Sequence, residues 1–158
     1  MEHMKSLSKW TCGAIAGLAM TAVIAEEKPD YEVNLEKIPA AAEKKVDFVK
    51  EIKPLFEESC LKCHSGRRPK SRYSMETREK ALKGGSSDFA AIVEKKSAES
   101  PLVWFVADAV EDQDLWMPVL DKREDYPKFK EEQVALIRAW IDQGAEWPED
   151  VVLAPKED

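Results

Sequence analysis

The chain has 158 residues and carries 31 Asp and Glu against 24 Lys and Arg, a net charge of −7. That length suits one small domain with a modest core. The acidic balance argues against nucleic acid as a general partner, because a phosphate backbone is bound by a concentrated positive surface. There is no internal repeat and no low-complexity tract.

Residues 1–25 read as a secretory signal peptide. Lys5 and Lys9 make a basic start, Trp10 to Ala25 is apolar and uncharged, and Val23-Ile24-Ala25 puts small or branched residues before a cleavage point. The mature chain is expected to begin at Glu26, and Met4 is an alternative start. The leader holds one net positive charge, so the remainder carries −8. An uncleaved membrane anchor is the competing reading, although the apolar run falls short of the roughly 20 residues that span a bilayer. Cys12 lies in that run and is expected to leave with it, since Lys9-Trp10-Thr11 does not resemble a lipoprotein cleavage box.

Residues 26–45 mix Glu, Lys and Ala with Pro29 and Pro39 and have little apolar periodicity, which predicts a mobile linker or an arm lying on the domain. The folded unit is expected over residues 46–150, followed by a short tail, 151–158. Phe48, Ile52, Leu55 and Phe56 recur at helical spacing, and Pro54 suits a first turn, so an irregular turn should lead into a helix from about Pro54 to Cys63. A second helix, about Glu76 to Lys83, should stop at Gly84-Gly85. Ser100-Pro101 reads as an N-cap followed by proline at the first helical position, opening a third helix to about Val110. In the last helix Val134, Ile137 and Ile141 line one face, Leu136 and Trp140 widen it, and Gly144 ends it. No segment alternates with period two, so an all-α domain of about four helices joined by long loops is predicted.

At the end of the first predicted helix stands Cys60-Leu61-Lys62-Cys63-His64, two thiols three positions apart followed directly by an imidazole. This is the attachment pattern for a single c-type haem. On one helical turn both sulfurs face the same side and can form thioethers along one haem edge, and His64 follows as proximal iron ligand. Zinc would want about four nitrogen or sulfur ligands, and beyond this cluster only Cys12 and His3 remain, both in the leader. A thioredoxin-like dithiol would want alternating strands and helices around it, which the pattern lacks. Covalent haem attachment in bacteria takes place outside the cytoplasm, so motif and leader agree on an exported, periplasmic protein.

From Phe48 to Trp147 the chain resembles the planctomycete-type cytochrome c domain, a branch of the class I cytochrome c fold. The resemblance rests on Val46-Asp47-Phe48 through Ile52-Lys53-Pro54-Leu55-Phe56, Thr77-Arg78-Glu79 through Ala81-Leu82-Lys83-Gly84-Gly85, Ser100-Pro101-Leu102, Met117-Pro118, and Ala139-Trp140-Ile141-Asp142-Gln143-Gly144-Ala145-Glu146-Trp147-Pro148. It implies electron carriage, His/Met ligation of the iron, and first and last helices that cross beside the haem. Three departures stand out. Val119 replaces a second proline after Met-Pro, residues 92–96 lack a Pro-Gly turn, and Lys130 sits where Ser or Thr would cap the last helix.

Met75 and Met117 are the methionines beyond the leader. Met117 follows the acidic stretch Glu111-Asp112-Gln113-Asp114 and precedes Pro118, in an irregular segment able to aim a thioether at a flat ring. The resemblance places the sixth ligand there too, whereas Met75 falls where relatives carry an ordinary apolar residue. Without either methionine the iron would be open. Trp104, Phe105, Trp116 and Trp140 are candidates for an apolar wall around the ring or simply for core. Arg67, Arg68, Lys70 and Arg72 form a basic run beside the motif that reads as a solvated loop, as partners for haem propionates, or as a steering patch for an acidic redox partner. The leading expectation is an electron carrier that is not an enzyme, serving redox partner proteins. A protein that binds gas or turns over peroxide at a labile distal site, or a module accepting electrons from a separate oxidoreductase, stands as the alternative.

Overall fold

The computed structural model describes residues 31–87 and 89–156. The expected leader, residues 1–25, and the start of the expected linker lie outside the described residues. Among the described residues there are four α-helices and no strand. The one β pairing is an isolated antiparallel bridge between Val33 and Val110.

The first helical segment opens as a π-helical turn, Phe48–Ile52, capped by Asp47, whose side chain accepts the Lys50 N–H. It runs into α1, Lys53–Ser59, with proline in the first turn. Phe48, Ile52 and Phe56 are all buried, at four-residue intervals along one stripe. Helix α1 stops before Cys60 rather than reaching Cys63. The reason is local: the amides of Cys60 and Leu61 converge on the Phe56 carbonyl, at 2.8 and 3.1 Å, which breaks the one-to-one ladder.

Helix α2, Arg78–Lys83, starts two residues later than its sequence suggests because Thr77 is extended (φ −132°, ψ 157°). It ends at Gly84, whose φ of +90° favours glycine, and a Cβ there would meet the Phe89 carbonyl at 2.3 Å. Helix α3, Pro101–Val106, also ends early, since Asp108 turns left-handed at φ +53°. Ser100 precedes α3 but does not cap it. Its hydroxyl accepts the Val93 N–H at 2.9 Å and donates to the Lys96 carbonyl at 3.0 Å.

Helix α4, Glu131–Asp142, begins without a Ser or Thr, and the Gln133 side chain accepts the Lys130 N–H at 2.8 Å. At its far end the guanidinium of Arg78 donates to the carbonyls of Ala145 and Gly144, at 2.9 and 3.2 Å. The stretch that lacks a Pro-Gly turn makes its reversal with Lys95 at φ +62°. It is tied to α4 by Lys95 N–H on the Ile141 carbonyl at 2.9 Å and by Ser97, which donates its N–H and hydroxyl to the two carboxylate oxygens of Asp142.

Helix α4 packs across the first helical segment through aromatics. Phe48 stacks on Trp147 with ring centres 4.1 Å apart, and Trp140 meets Phe48 at 5.5 Å and Phe56, edge to face, at 5.7 Å. The Trp140 and Trp147 indole N–H groups donate to the carbonyls of Glu146 and Val151, each at 2.7 Å, so these large rings are buried without an orphaned donor. Two flanking segments lie on this core. Residues 33–46 run along it as a strap, with Asn34 N–H on Ala109 carbonyl at 2.7 Å, Ala42 N–H on Ala135 carbonyl at 3.0 Å, and Arg138 donating to the Pro39 carbonyl. Leu153 is buried as well, with its N–H on the Glu76 carbonyl at 2.8 Å.

Candidate functional site

Residues Cys60 to His64 form a single tight turn. The Cys60 carbonyl accepts the N–H groups of Cys63 and His64, at 3.1 and 2.9 Å, which brings the two cysteines onto one turn as their spacing requires. Both thiols are free. Cys60 is buried and Cys63 half-buried. Burial, and secondarily the neighbouring Cys63, pushes the Cys60 thiol up to about 12, so in the bare polypeptide it is neutral.

The imidazole of His64 is oriented by the loop that follows. Its Nδ1 lies 3.1 Å from the Tyr73 carbonyl. A carbonyl only accepts, so Nδ1 carries the proton and Nε2 keeps a free lone pair. Burial lowers the basicity of His64 and outweighs the opposing pull of the Tyr73 and Lys70 carbonyls. The ring is thus held neutral at neutral pH, the form that coordinates a metal. A carbonyl on the remote nitrogen is the usual support of a ligating histidine.

Tyr73 is itself tightly held. Its hydroxyl donates to the Ala81 carbonyl at 3.0 Å, and its ring centre stands 5.2 Å from that of His64. Burial raises the phenol well above its ordinary value, so it stays a proton donor. Behind it, Gly85 leaves no room for a side chain. A Cβ there would meet the Ser71 carbonyl at 2.4 Å and the Tyr73 Cβ at 2.9 Å. Helix α2 and its glycine turn therefore brace the backbone that aims His64.

Met117 lies in the irregular stretch between α3 and α4, partly buried against the same hydrophobic cluster that contains Cys60. Its N–H donates to the Phe105 carbonyl at 3.0 Å, and its bond to Pro118 is cis. Val119 has φ −58° and ψ 146°, so the chain follows a proline-like course there. Met75 is different. It is 1% exposed in the hydrophobic core, and its N–H donates to the His64 carbonyl at 2.8 Å.

The four wall candidates separate. Trp140 belongs to the helix crossing. Trp104 and Phe105 take edge contacts from Tyr31, with ring centres at 6.5 and 5.7 Å, and Trp116 precedes Met117 directly. Arg67, Arg68, Lys70 and Arg72 are exposed, and none makes an ion pair among the described residues. An open hollow lined by Tyr31, Glu32, Val110, Glu111 and Asp112 has no thiol, imidazole or thioether in its wall and is not part of this site. The sequence reading missed the Tyr73 carbonyl, the Gly85 brace, and a buried ion pair between Asp108 and Arg123. No residue type announces a backbone carbonyl. The ion pair joins residues fifteen apart across an irregular loop, where no periodicity applies.

Residues 60–121 match the family model described as Planctomycete cytochrome C. The match opens at the first cysteine of the turn and takes in the Met117-Pro118 stretch. No curated protein and no solved structure matches the chain.

Proposed function

We propose that the chain, whose residues 60–121 match the Planctomycete cytochrome C family model, is an exported electron carrier with one haem c, bound through thioethers to Cys60 and Cys63 and ligated by His64 and Met117. The observation that carries the reading is the turn itself. Two unbridged thiols and an imidazole share it, and the Tyr73 carbonyl occupies Nδ1 so that Nε2 is the nitrogen left for iron.

When bound, a haem would supply a one-electron ferric/ferrous couple, with His64 and Met117 as the residues that would hold its iron. The protein's own residues do the rest. Cys60 and Cys63 retain the cofactor, and the Tyr73 carbonyl fixes the tautomer and direction of His64. Met75 is fully buried in the core, which leaves Met117 as the methionine that would hold the iron. Thioether ligation favours the ferrous state, and the apolar cluster around Cys60 and Met117 limits water and reorganisation. None of these roles needs a substrate pocket. Export follows from the leader together with the need to attach the haem outside the cytoplasm, and no described helix is long and apolar enough to cross a membrane.

Visible spectra of protein exported from a host with haem-attachment machinery test the reading. Low-spin iron with the weak ferric sulfur-to-iron band is expected, and Met117→Ala should abolish the band. High-spin iron in the unaltered protein would overturn His/Met ligation.

The free cations at 67, 68, 70 and 72 stand out on an acidic chain and suit an anionic partner. Replacing all four with glutamine should slow oxidation of the reduced protein by ferricyanide about tenfold near 10 mM salt. The difference should largely vanish above roughly 0.5 M, where the Debye length falls to a few ångströms. Equal rates at low salt would remove the patch from the electron path.

A further inference from the structure

Met117 sits between two backbone groups that are both tied to the end of α3. Its own N–H donates to the Phe105 carbonyl, and the next residue's carbonyl, on Pro118, accepts from Nε of Arg123 at 3.0 Å. Arg123 is fixed in turn by Asp108. Its two terminal nitrogens reach the two carboxylate oxygens at 3.0 and 2.7 Å, a fork-to-fork pair that sets direction as well as distance.

Asp108 is 5% exposed and has the left-handed backbone that ends α3. Its carboxylate also holds Lys128 at 2.9 Å, and its carbonyl accepts from Lys37 at 3.1 Å. Lys37 and Arg123 both lie over the ring of Trp116, at 5.4 and 5.6 Å from its centre. The Trp116 indole donates to the Val110 carbonyl at 2.9 Å. Asp108 therefore orders three cations, Arg123 and Lys128 through its buried carboxylate and Lys37 through its main-chain carbonyl, and Arg123 in turn meets the residues on either side of Met117.

A buried ion pair is a poor device for stability alone, because desolvation offsets most of the attraction. What the bidentate geometry does provide is a fixed backbone. We propose that Asp108 and Arg123 are positioning residues for the sixth axial ligand, clamping residues 116–118 so that the Met117 thioether stays on the iron and is not displaced by competing ligands. This rests on the assignment of Met117 as ligand made above. A thioether is a neutral, weakly basic donor, so its hold depends on how little the loop gains by moving away. With the carboxylate gone, Arg123 loses the partner that directs it, and the Pro118 carbonyl and the Trp116 ring lose theirs.

Imidazole binding to the ferric haem protein tests the clamp, read together with the sulfur-to-iron band. Asp108→Asn keeps the shape of the side chain and removes its charge. It should raise imidazole affinity about tenfold or more and weaken the band, approaching the ceiling set by Met117→Ala. Arg123→Lys keeps the cation, loses the Nε contact to Pro118, and should act in the same direction by a smaller factor; it carries the test if Asp108→Asn does not assemble. Placed in the Met117→Ala background, either substitution should leave imidazole affinity unchanged, since there is no thioether left to position. Unaltered affinity and band in the single variants would overturn the proposal, as would an equal rise in the Met117→Ala background, which would mean general loosening. A band that survives Met117→Ala would instead overturn the ligand assignment.

Discussion

With serine at both Cys60 and Cys63, the exported protein is expected to release all of its haem into acidified organic solvent, whereas the unaltered protein should keep it on the polypeptide. Apart from Cys12, Cys60 and Cys63 are the chain's only cysteines, and they share one turn built on the Cys60 carbonyl. Each single variant should keep one thioether, with the reduced band shifted to longer wavelength because one vinyl group stays conjugated to the ring. Haem that still resists extraction from the double variant would sink the attachment assigned here.

The second large effect lies in the core. Trp140→Ala should cost about 3–5 kcal/mol, the range for deleting a buried aromatic. Trp140 is 1% exposed, meets Phe48, Phe56 and Trp147, and donates to the Glu146 carbonyl at 2.7 Å. Against a total stability of roughly 5–15 kcal/mol, that loss takes much of the margin. Trp140→Phe keeps most of the apolar contact but leaves the Glu146 carbonyl without its donor, which should cost about 1–3 kcal/mol. Urea denaturation of the holoprotein separates the two. Equal losses would place the effect in the hydrogen bond and not in the packing.

The parts of this molecule legible in its sequence are those where chemistry restricts residue type. Thioether formation would need cysteine at a fixed interval, and an adjacent ligand to iron would need histidine, so the proposed site residues Cys60, Cys63 and His64 stand out by type, and the fold brings them onto one turn. The helices were legible for a related reason: a buried stripe such as Val134, Ile137 and Ile141 has to repeat every three or four residues. Their ends were less so. Helix α1 stops because two amides share the Phe56 carbonyl, and α3 because Asp108 turns left-handed. Neither event carries a strong residue signature. Ser100 shows the reverse failure, a good cap by type whose hydroxyl is drawn away to Val93 and Lys96. Around the site, orientation comes from backbone groups, the carbonyls of Tyr73, Phe105 and Pro118. Every residue has one, so only the folded chain reveals which carbonyls matter.

The same property bears on the strap at residues 33–46. Most of its polar anchors use its own main chain: the N–H groups of Asn34, Ala42 and Val46, and the carbonyls of Pro39 and Lys44, which receive Arg138 and Gln143. Lys37 and Lys44 are the exceptions, through side-chain amines that reach the Asp108 carbonyl and the Glu51 carboxylate. A segment held in this way can exchange many of its exposed letters over generations and still bind as it does, while Val33, Ile38, Ala41, Ala42 and Val46, which pack on or in the core, stay restricted in size and polarity. Two descendants of one ancestor could keep the strap and differ at most of its exposed positions.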